Sequence, residues 1–169
     1  MTKNYSVTSL NPRNIRNLFL ICLISTLLGA CTSILPECGV CSSPPLSDLN
    51  GRWELAKWNR APDSQGRVRL RTLPLDKNNP ATLVFDLSNH RLSGFSGCNS
   101  FTTTVSEHPK GIILGQLAGT RKMCVELAKT EFETDFMYQL SDYRSLKMEN
   151  NELLLVGRDG DILLFIRKK

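Results

Sequence analysis

The chain is poor in the residues from which many active sites are built. Only two of its 169 residues are histidines, and both, His90 and His108, lie in turn-like polar stretches. Gly94-Phe95-Ser96-Gly97 is not the G-x-S-x-G nucleophile elbow of hydrolases, because its last glycine comes one residue too early and no helical pattern follows. We therefore expect no enzymatic activity, no cofactor and no metal.

Acidic residues are absent before Glu37. The apolar run Leu18–Leu28 has 11 residues, whereas a membrane-spanning helix needs roughly 20. Basic residues precede this run, and the small residues Gly29 and Ala30 follow it. The combination is typical of a signal peptide that directs export and is then removed.

Leu28-Gly29-Ala30-Cys31 resembles the lipobox of bacterial lipoproteins, whose cysteine becomes the lipidated first residue of the mature chain. We expect residues 1–30 to be cleaved and Cys31 to anchor the protein in a membrane. A lipobox implies a diacylglyceryl group and usually an N-acyl chain. More than one acyl chain anchors a protein stably in a membrane. The alternatives are an uncleaved signal anchor and an ordinary signal peptide cut nearby.

The positive charge belongs largely to this leader. The whole chain has a net charge of +5, but residues 1–30 hold three basic and no acidic residues, which leaves +2 for the mature chain. Nucleic-acid binding needs a clustered basic footprint. We therefore expect no nucleic-acid partner.

Residues 31–49 are rich in proline and serine and lack apolar periodicity, which predicts a flexible tether between the lipid and a domain over 50–169. The tether contains Cys38-Gly39-Val40-Cys41. A redox C-x-x-C follows a strand and opens a helix, and a zinc site needs about four ligands. A small local disulfide between Cys38 and Cys41, or two inert cysteines, fits this context better.

The domain reads as short strands joined by polar turns. The predicted strands are Gly51–Trp58, Arg67–Arg71, Ala81–Leu87, Arg91–Phe95, Phe101–Val105, Ile112–Leu117, Arg144–Lys147, Glu152–Val156 and Asp161–Ile166. Arg158-Asp159-Gly160 between the last two is a hairpin signal. Because those two strands are apolar on successive residues, both of their faces should be covered.

One amphipathic helix is predicted over about 126–141, where Phe132, Phe136 and Leu140 recur every four residues. Thr130-Glu131-Phe132-Glu133 has the capping-box pattern, so Thr130 is either the cap or lies inside the helix. A single helix cannot cover both faces of a long sheet. We therefore predict an α+β fold in which a strongly curved antiparallel sheet or partial barrel of about seven to nine short strands packs on this helix.

Together these signals resemble the META domain of HslJ-type lipoproteins over about residues 50–167. The most specific matching segments are Leu92-Ser93-Gly94-Phe95-Ser96-Gly97-Cys98-Asn99 and Thr120-Arg121-Lys122-Met123-Cys124. Lys122 and Val125 depart from the family pattern, which often has methionine and proline there. The resemblance implies a small α+β domain on the periplasmic side of a Gram-negative envelope, with heat-shock induction and a link to novobiocin resistance. It brings no enzymatic activity.

Lipoprotein sorting in enteric-type bacteria keeps proteins with aspartate after the lipidated cysteine in the inner membrane. Thr32 holds that position here, which implies the outer membrane, facing the periplasm.

Cys124 is the best candidate partner for Cys98. Four cysteines remain once Cys22 leaves with the leader and Cys31 is lipidated, and they allow three pairings. A structural disulfide between Cys98 and Cys124 is the favoured interpretation. Buried unpaired thiols and a redox-active pair are the alternatives.

Four arginines are candidate anion contacts. Arg67, Arg69 and Arg71 alternate along a predicted strand, where they could meet lipid phosphates or form a solvated face. Arg121 could instead be a buried, paired structural arginine.

The favoured function is a non-catalytic lipid-anchored envelope lipoprotein that supports outer-membrane integrity, the stress response or novobiocin tolerance by binding a partner or ligand. The alternative is an inhibitor of an envelope or host hydrolase, which a long exposed loop with a protruding apolar or acidic tip would favour. A thiol oxidoreductase is less favoured and requires an exposed Cys98.

Mass mapping of the exported protein without reductant should find one peptide pair joined through Cys98 and Cys124. A disulfide there closes a loop whose ends are 26 residues apart, worth roughly 3–4 kcal/mol by chain entropy. Two thiols that are freely alkylated in protein purified from the periplasm would contradict the pairing.

Overall fold

The computed structural model describes residues 43–169. The predicted signal peptide (1–30), the lipidation site Cys31 and the tether cysteines Cys38 and Cys41 lie outside these residues. Within them, no helix is both long enough and apolar enough to span a bilayer.

Nine strands and one α-helix make up the described part of the chain. They are β1 (Gly51–Asn59), β2 (Thr82–Asp86), β3 (Arg91–Phe95), β4 (Ser100–His108), β5 (Gly111–Leu114), β6 (Ala118–Gly119), α1 (Leu127–Ser141), β7 (Tyr143–Glu149), β8 (Glu152–Gly157) and β9 (Ile162–Lys168). Two short 3-10 helices, Leu46–Leu49 and Leu87–Asn89, accompany them. The predicted strand-rich fold with one helix is confirmed.

The strands form one antiparallel sheet in the order β5-β4-β3-β2-β1-β9-β8-β7. Strand β6 pairs with β4 next to β5, so β5 and β6 together form one interrupted edge strand along β4. The sheet curls until its two ends meet. There the hydroxyl of Tyr143 on β7 donates to the carbonyl of Ile112 on β5 and accepts from the N–H of Leu114, 3.2 Å away. The result is a nearly closed barrel.

The helix packs an aromatic face against the inner side of the curled sheet. Phe132, Phe136 and Leu140 are buried, as the four-residue spacing predicts. The Phe132 and Phe136 rings stack with centroids 5.8 Å apart, and Phe132 meets Trp58 of β1 edge-on at 5.7 Å. Such aromatic pairs stabilise a core beyond the area that they bury.

The last two strands differ from the prediction. Their inward side chains, among them Leu153 and Phe165, are buried, but Leu154 and Leu164 on the other face are only half-buried. The expectation that both faces are covered is therefore wrong. The single helix packs one face against the inner side of the sheet, so the outer side chains of β8 and β9 are only half-buried.

The segment 67–71, predicted as a strand or an extended ribbon, is not a regular strand. It touches β1 through one isolated bridge, Asn59 to Leu70, within a long connection between β1 and β2. Arg71 is the one half-buried arginine of this segment, and its guanidinium lies over the Trp58 ring, 4.3 Å from the centroid.

Residues 46–49, within the predicted tether, form a 3-10 helix. Leu49 is fully buried in the core, and its carbonyl accepts from the Trp53 indole N–H at 2.8 Å.

Replacing Tyr143 by phenylalanine should lower the free energy of unfolding by about 1 kcal/mol, because it removes the hydroxyl that joins β5 to β7. Burial raises the pKa of Tyr143 above its ordinary value. The unfolded chain therefore loses this proton first, so the advantage of the wild type is full below about pH 10. It should shrink as the pH rises from there toward the raised pKa.

Urea unfolding at pH 7 and across pH 9–11 tests this. Tyr138→Phe is the control, because Tyr138 is exposed and its replacement should change stability by less than about 0.5 kcal/mol. A Tyr143→Phe deficit that is absent at pH 7, or that does not change across pH 9–11, would refute the role of this hydroxyl.

Candidate functional site

The turn between β3 and β4 brings Cys98 and Asn99 to one end of the barrel. Gly97 makes the turn with φ of +101°, a conformation that residues with a side chain rarely adopt. At Gly94 an added Cβ would lie 2.1 Å from the Thr82 carbonyl oxygen, so glycine is needed for close approach. The N–H of Ser96 donates to the carbonyl of Asn99 at 2.8 Å and closes the turn.

Asn99 is the centre of a buried hydrogen-bond network. Its side-chain oxygen accepts from the Lys122 N–H and the Thr120 hydroxyl, both at 2.7 Å. Its amide nitrogen donates to the Lys122 carbonyl at 3.1 Å and to Glu133 Oε2 at 2.8 Å. One asparagine therefore holds both backbone groups of Lys122 and is itself held by the helix.

Glu133 completes the network from α1. Its Oε1 accepts from the Asn99 backbone N–H at 3.0 Å and from the Ser96 hydroxyl. The sequence pattern placed Glu133 in a capping box, but α1 begins at Leu127 and Thr130 lies inside it. The carboxylate therefore serves a tertiary contact instead of a helix cap.

Cys98 and Cys124 are joined by a disulfide with an S–S distance of 2.09 Å. The bond lies beside the network, with Glu133 Oε2 3.4 Å from the Cys124 sulfur. These three residues are close enough to suggest a metal site. In the disulfide neither sulfur is a thiolate, so only the carboxylate is left as a ligand.

Residues 120–127, named here the disulfide loop, lead from β6 to the first residue of α1. Three apolar side chains on it face water: Met123 is 95% exposed, Val125 is fully exposed and Leu127 is 74% exposed. Asn99 and the disulfide hold the loop immediately before and after Met123. The loop is thus an apolar tip on a backbone that is held on both sides. The prediction of the disulfide did not indicate that these apolar side chains are exposed.

The four candidate anion contacts do not form one site. Arg67 is exposed and pairs with Asp63 at 3.0 Å. The backbone N–H of Arg67, with smaller help from other groups, lowers the pKa of that carboxyl. Arg121 is exposed on the disulfide loop, which does not fit the buried structural arginine considered from the sequence.

Arg69 and Arg71 do meet, in a shallow pocket that Arg60 and Asp161 also line. Arg71 pairs with Asp135 at 2.6 Å, and Arg60 pairs with Asp161 at 3.1 Å. Asp161 is buried and also accepts from the Trp58 indole N–H at 2.7 Å. Two of the three guanidinium groups are therefore already neutralised by carboxylates, and only Arg69 is left to meet an external anion.

Asn99→Ala should lower the free energy of unfolding by about 2 kcal/mol, because the Lys122 N–H and the Glu133 carboxylate lose a buried partner. Urea unfolding of the oxidised protein measures it. Asn78→Ala is the matched control: Asn78 is exposed, and the change should cost less than about 0.5 kcal/mol. Equal losses in the two variants would show that the network does not stabilise the fold.

Two solved structures resemble this fold. An NMR structure of a protein from Burkholderia xenovorans is 25% identical, with a TM-score of 0.58, over 79% of this chain and 97% of that one. A second NMR structure is 20% identical, with a TM-score of 0.54, over 73% of this chain and 95% of that one. No curated protein matches the chain.

The model of one protein family, the META domain, matches residues 45–169. That range takes in every strand, the helix and the disulfide loop. The resemblance seen in the Gly-Cys-Asn and Thr-Arg-x-x-Cys segments is confirmed: the chain belongs to the META domain family.

Proposed function

We propose that this protein is a lipid-anchored envelope lipoprotein whose META domain works by binding a protein partner and not by catalysis. The observation that carries the proposal is the disulfide loop. Met123 and Val125 lie almost entirely in water on a backbone that a disulfide and Asn99 hold in place. A local apolar cluster of this kind marks an interaction site more often than a random surface does.

A fixed loop is well suited to binding. Ordering a mobile segment on association costs roughly 0.5–1.5 kcal/mol for each side chain that is immobilised, in addition to the backbone. Here folding and the disulfide already meet the backbone part of that cost. The exposed side chains can then contribute apolar contacts at the centre of an interface.

The cellular setting of the proposal comes from the N-terminal sequence. The lipobox-like Leu28-Gly29-Ala30-Cys31 supports export and lipidation, and Thr32 supports the outer membrane with the domain facing the periplasm. In that place a partner-binding domain would support envelope integrity under stress or tolerance to novobiocin.

The second candidate is an inhibitor of an envelope or host hydrolase. A long exposed loop with an apolar tip is the feature that favours it, and the disulfide loop has that feature. A thiol oxidoreductase is less well supported. Reactive cysteines need electropositive surroundings that stabilise a thiolate, whereas the carboxylate of Glu133 lies beside Cys124.

Replacing Cys31 by serine should release the mature chain from the membrane, because it removes the acyl attachment point. Fractionation of envelope extracts and the intact mass of the product measure this. Cys22→Ser, in the apolar run of the leader, is the matched control and should leave the protein lipidated and membrane-bound. Full membrane retention of the Cys31→Ser protein would contradict the anchor.

A further inference from the structure

We propose that the disulfide loop enters the substrate cleft of a peptidase as an extended, substrate-like segment, with the Met123 side chain in an apolar specificity pocket. This inference rests on the proposed function, since it names the class of partner that the loop binds. No bond is formed or broken in the complex that we propose. The argument depends on the backbone around Met123, the position of the loop and its charge.

The backbone leading to Met123 continues the edge of the sheet. The N–H of Thr120 donates to the Ser100 carbonyl at 2.9 Å, and the N–H of Lys122 donates to Asn99 Oδ1 at 2.7 Å. Groups two residues apart that face the same side are typical of an extended strand. The side-chain oxygen of Asn99 thus accepts the hydrogen bond that a further backbone carbonyl of β4 would otherwise accept.

Alternate residues of an extended strand turn their backbone groups to the opposite side. Within residues 43–169 neither the N–H nor the carbonyl of Met123 makes a hydrogen bond. These two groups are available to a second extended chain. Strand addition of this type gives affinity through main-chain hydrogen bonds and specificity through pockets for the side chains.

The two flanks of Met123 are fixed in different ways. Lys122 is held by Asn99, and Cys124 is held by the disulfide. Between these anchors, the 95% exposed Met123 side chain points away from the protein. An exposed side chain on a backbone fixed on both sides can fill a partner's pocket without a further cost for ordering the backbone.

The loop lies far from the point where the described chain begins. Ser43 lies against Gly111, which pairs with His108 at the far end of β4. The disulfide loop adjoins Ser100 at the near end. Eight residues of strand separate the two ends, which is about 27 Å. The disulfide loop and the first described residue therefore lie at opposite ends of β4.

The charges beside the tip are basic. Arg121 and Lys122 are exposed and form no ion pair within residues 43–169. Glu126, on the other side, pairs with Lys129 at 3.0 Å. A cleft with an apolar pocket and an acidic rim is therefore complementary to this loop.

Chymotrypsin and trypsin are the probes, because one has an apolar specificity pocket and the other has a pocket that carries an aspartate. The mature lipidated chain, purified in detergent, is titrated against each enzyme with a small chromogenic substrate. We expect competitive inhibition of chymotrypsin. Met123→Lys should weaken that inhibition at least tenfold and strengthen the inhibition of trypsin at least tenfold.

Ile113→Lys is the matched control, because Ile113 is an exposed apolar residue on β5 away from the loop. It should leave both inhibition constants unchanged. Since Met123 is a surface side chain, Met123→Lys should also unfold at the same temperature as the wild type, which separates lost binding from lost folding.

Three results would overturn the proposal. The first is no inhibition of chymotrypsin by the folded, oxidised chain. The second is inhibition of chymotrypsin and trypsin that Met123→Lys leaves unchanged. The third is binding of the unlipidated Cys31→Ser chain to phosphatidylcholine–phosphatidylglycerol vesicles that Met123→Lys abolishes, which would make the loop a membrane contact.

The proposed function is tested by a separate experiment. It is refuted when the Cys31→Ser chain stays on the membrane, a result that does not involve the loop. A released Cys31→Ser protein together with no inhibition would leave the anchored binding protein in place and remove the peptidase as its partner.

Discussion

The buried amide of Asn99 is the contact on which the rest of this site depends. It joins three segments that are distant in the chain: the turn before β4, the disulfide loop through Lys122, and the helix through Glu133. A buried amide or carboxylate without a partner costs more free energy than its hydrogen bonds contribute when they are made. The three segments must therefore come together or all lose stability.

The packing of the barrel and this polar network support each other. Phe132 and Phe136 pack one face of the helix against the sheet, and Glu133, next to Phe132, is thereby brought to Asn99. The disulfide then fixes the remaining free part of the loop at Cys124. The result is a surface segment whose apolar side chains lie in water and whose backbone is held by Asn99 and by the disulfide.

Local patterns in the sequence predicted most of the fold. Strand β3 has the predicted bounds, the last hairpin turns at Gly160 with φ of +91°, and the helix begins within a residue of its predicted start. Patterns failed where a distant contact decides the structure. Arg71 alternates with Arg67 and Arg69 as in a strand, yet it packs over Trp58 and pairs with Asp135, and the segment forms one isolated bridge instead of a ladder.

The candidate site could be predicted only in part. The pairing of Cys98 with Cys124 was predicted from the sequence and is present in the structure. The hydrogen bond from Asn99 to Glu133 spans 34 residues of sequence. The capping-box pattern suggested instead that Glu133 makes a local contact at the start of the helix, so the distant contact was not predicted. Exposure of Met123 could not be read from the sequence, because an apolar residue beside a cysteine is ordinarily expected inside.

The most direct measurement is backbone amide exchange of the oxidised protein followed by NMR. Asn99 binds the Lys122 N–H, and the Met123 N–H makes no hydrogen bond within the described residues. The account predicts that the Lys122 amide exchanges slowly while its neighbour at Met123 exchanges at a rate close to that of an open chain. Fast exchange at both positions would show that Asn99 does not hold the loop and would contradict the account.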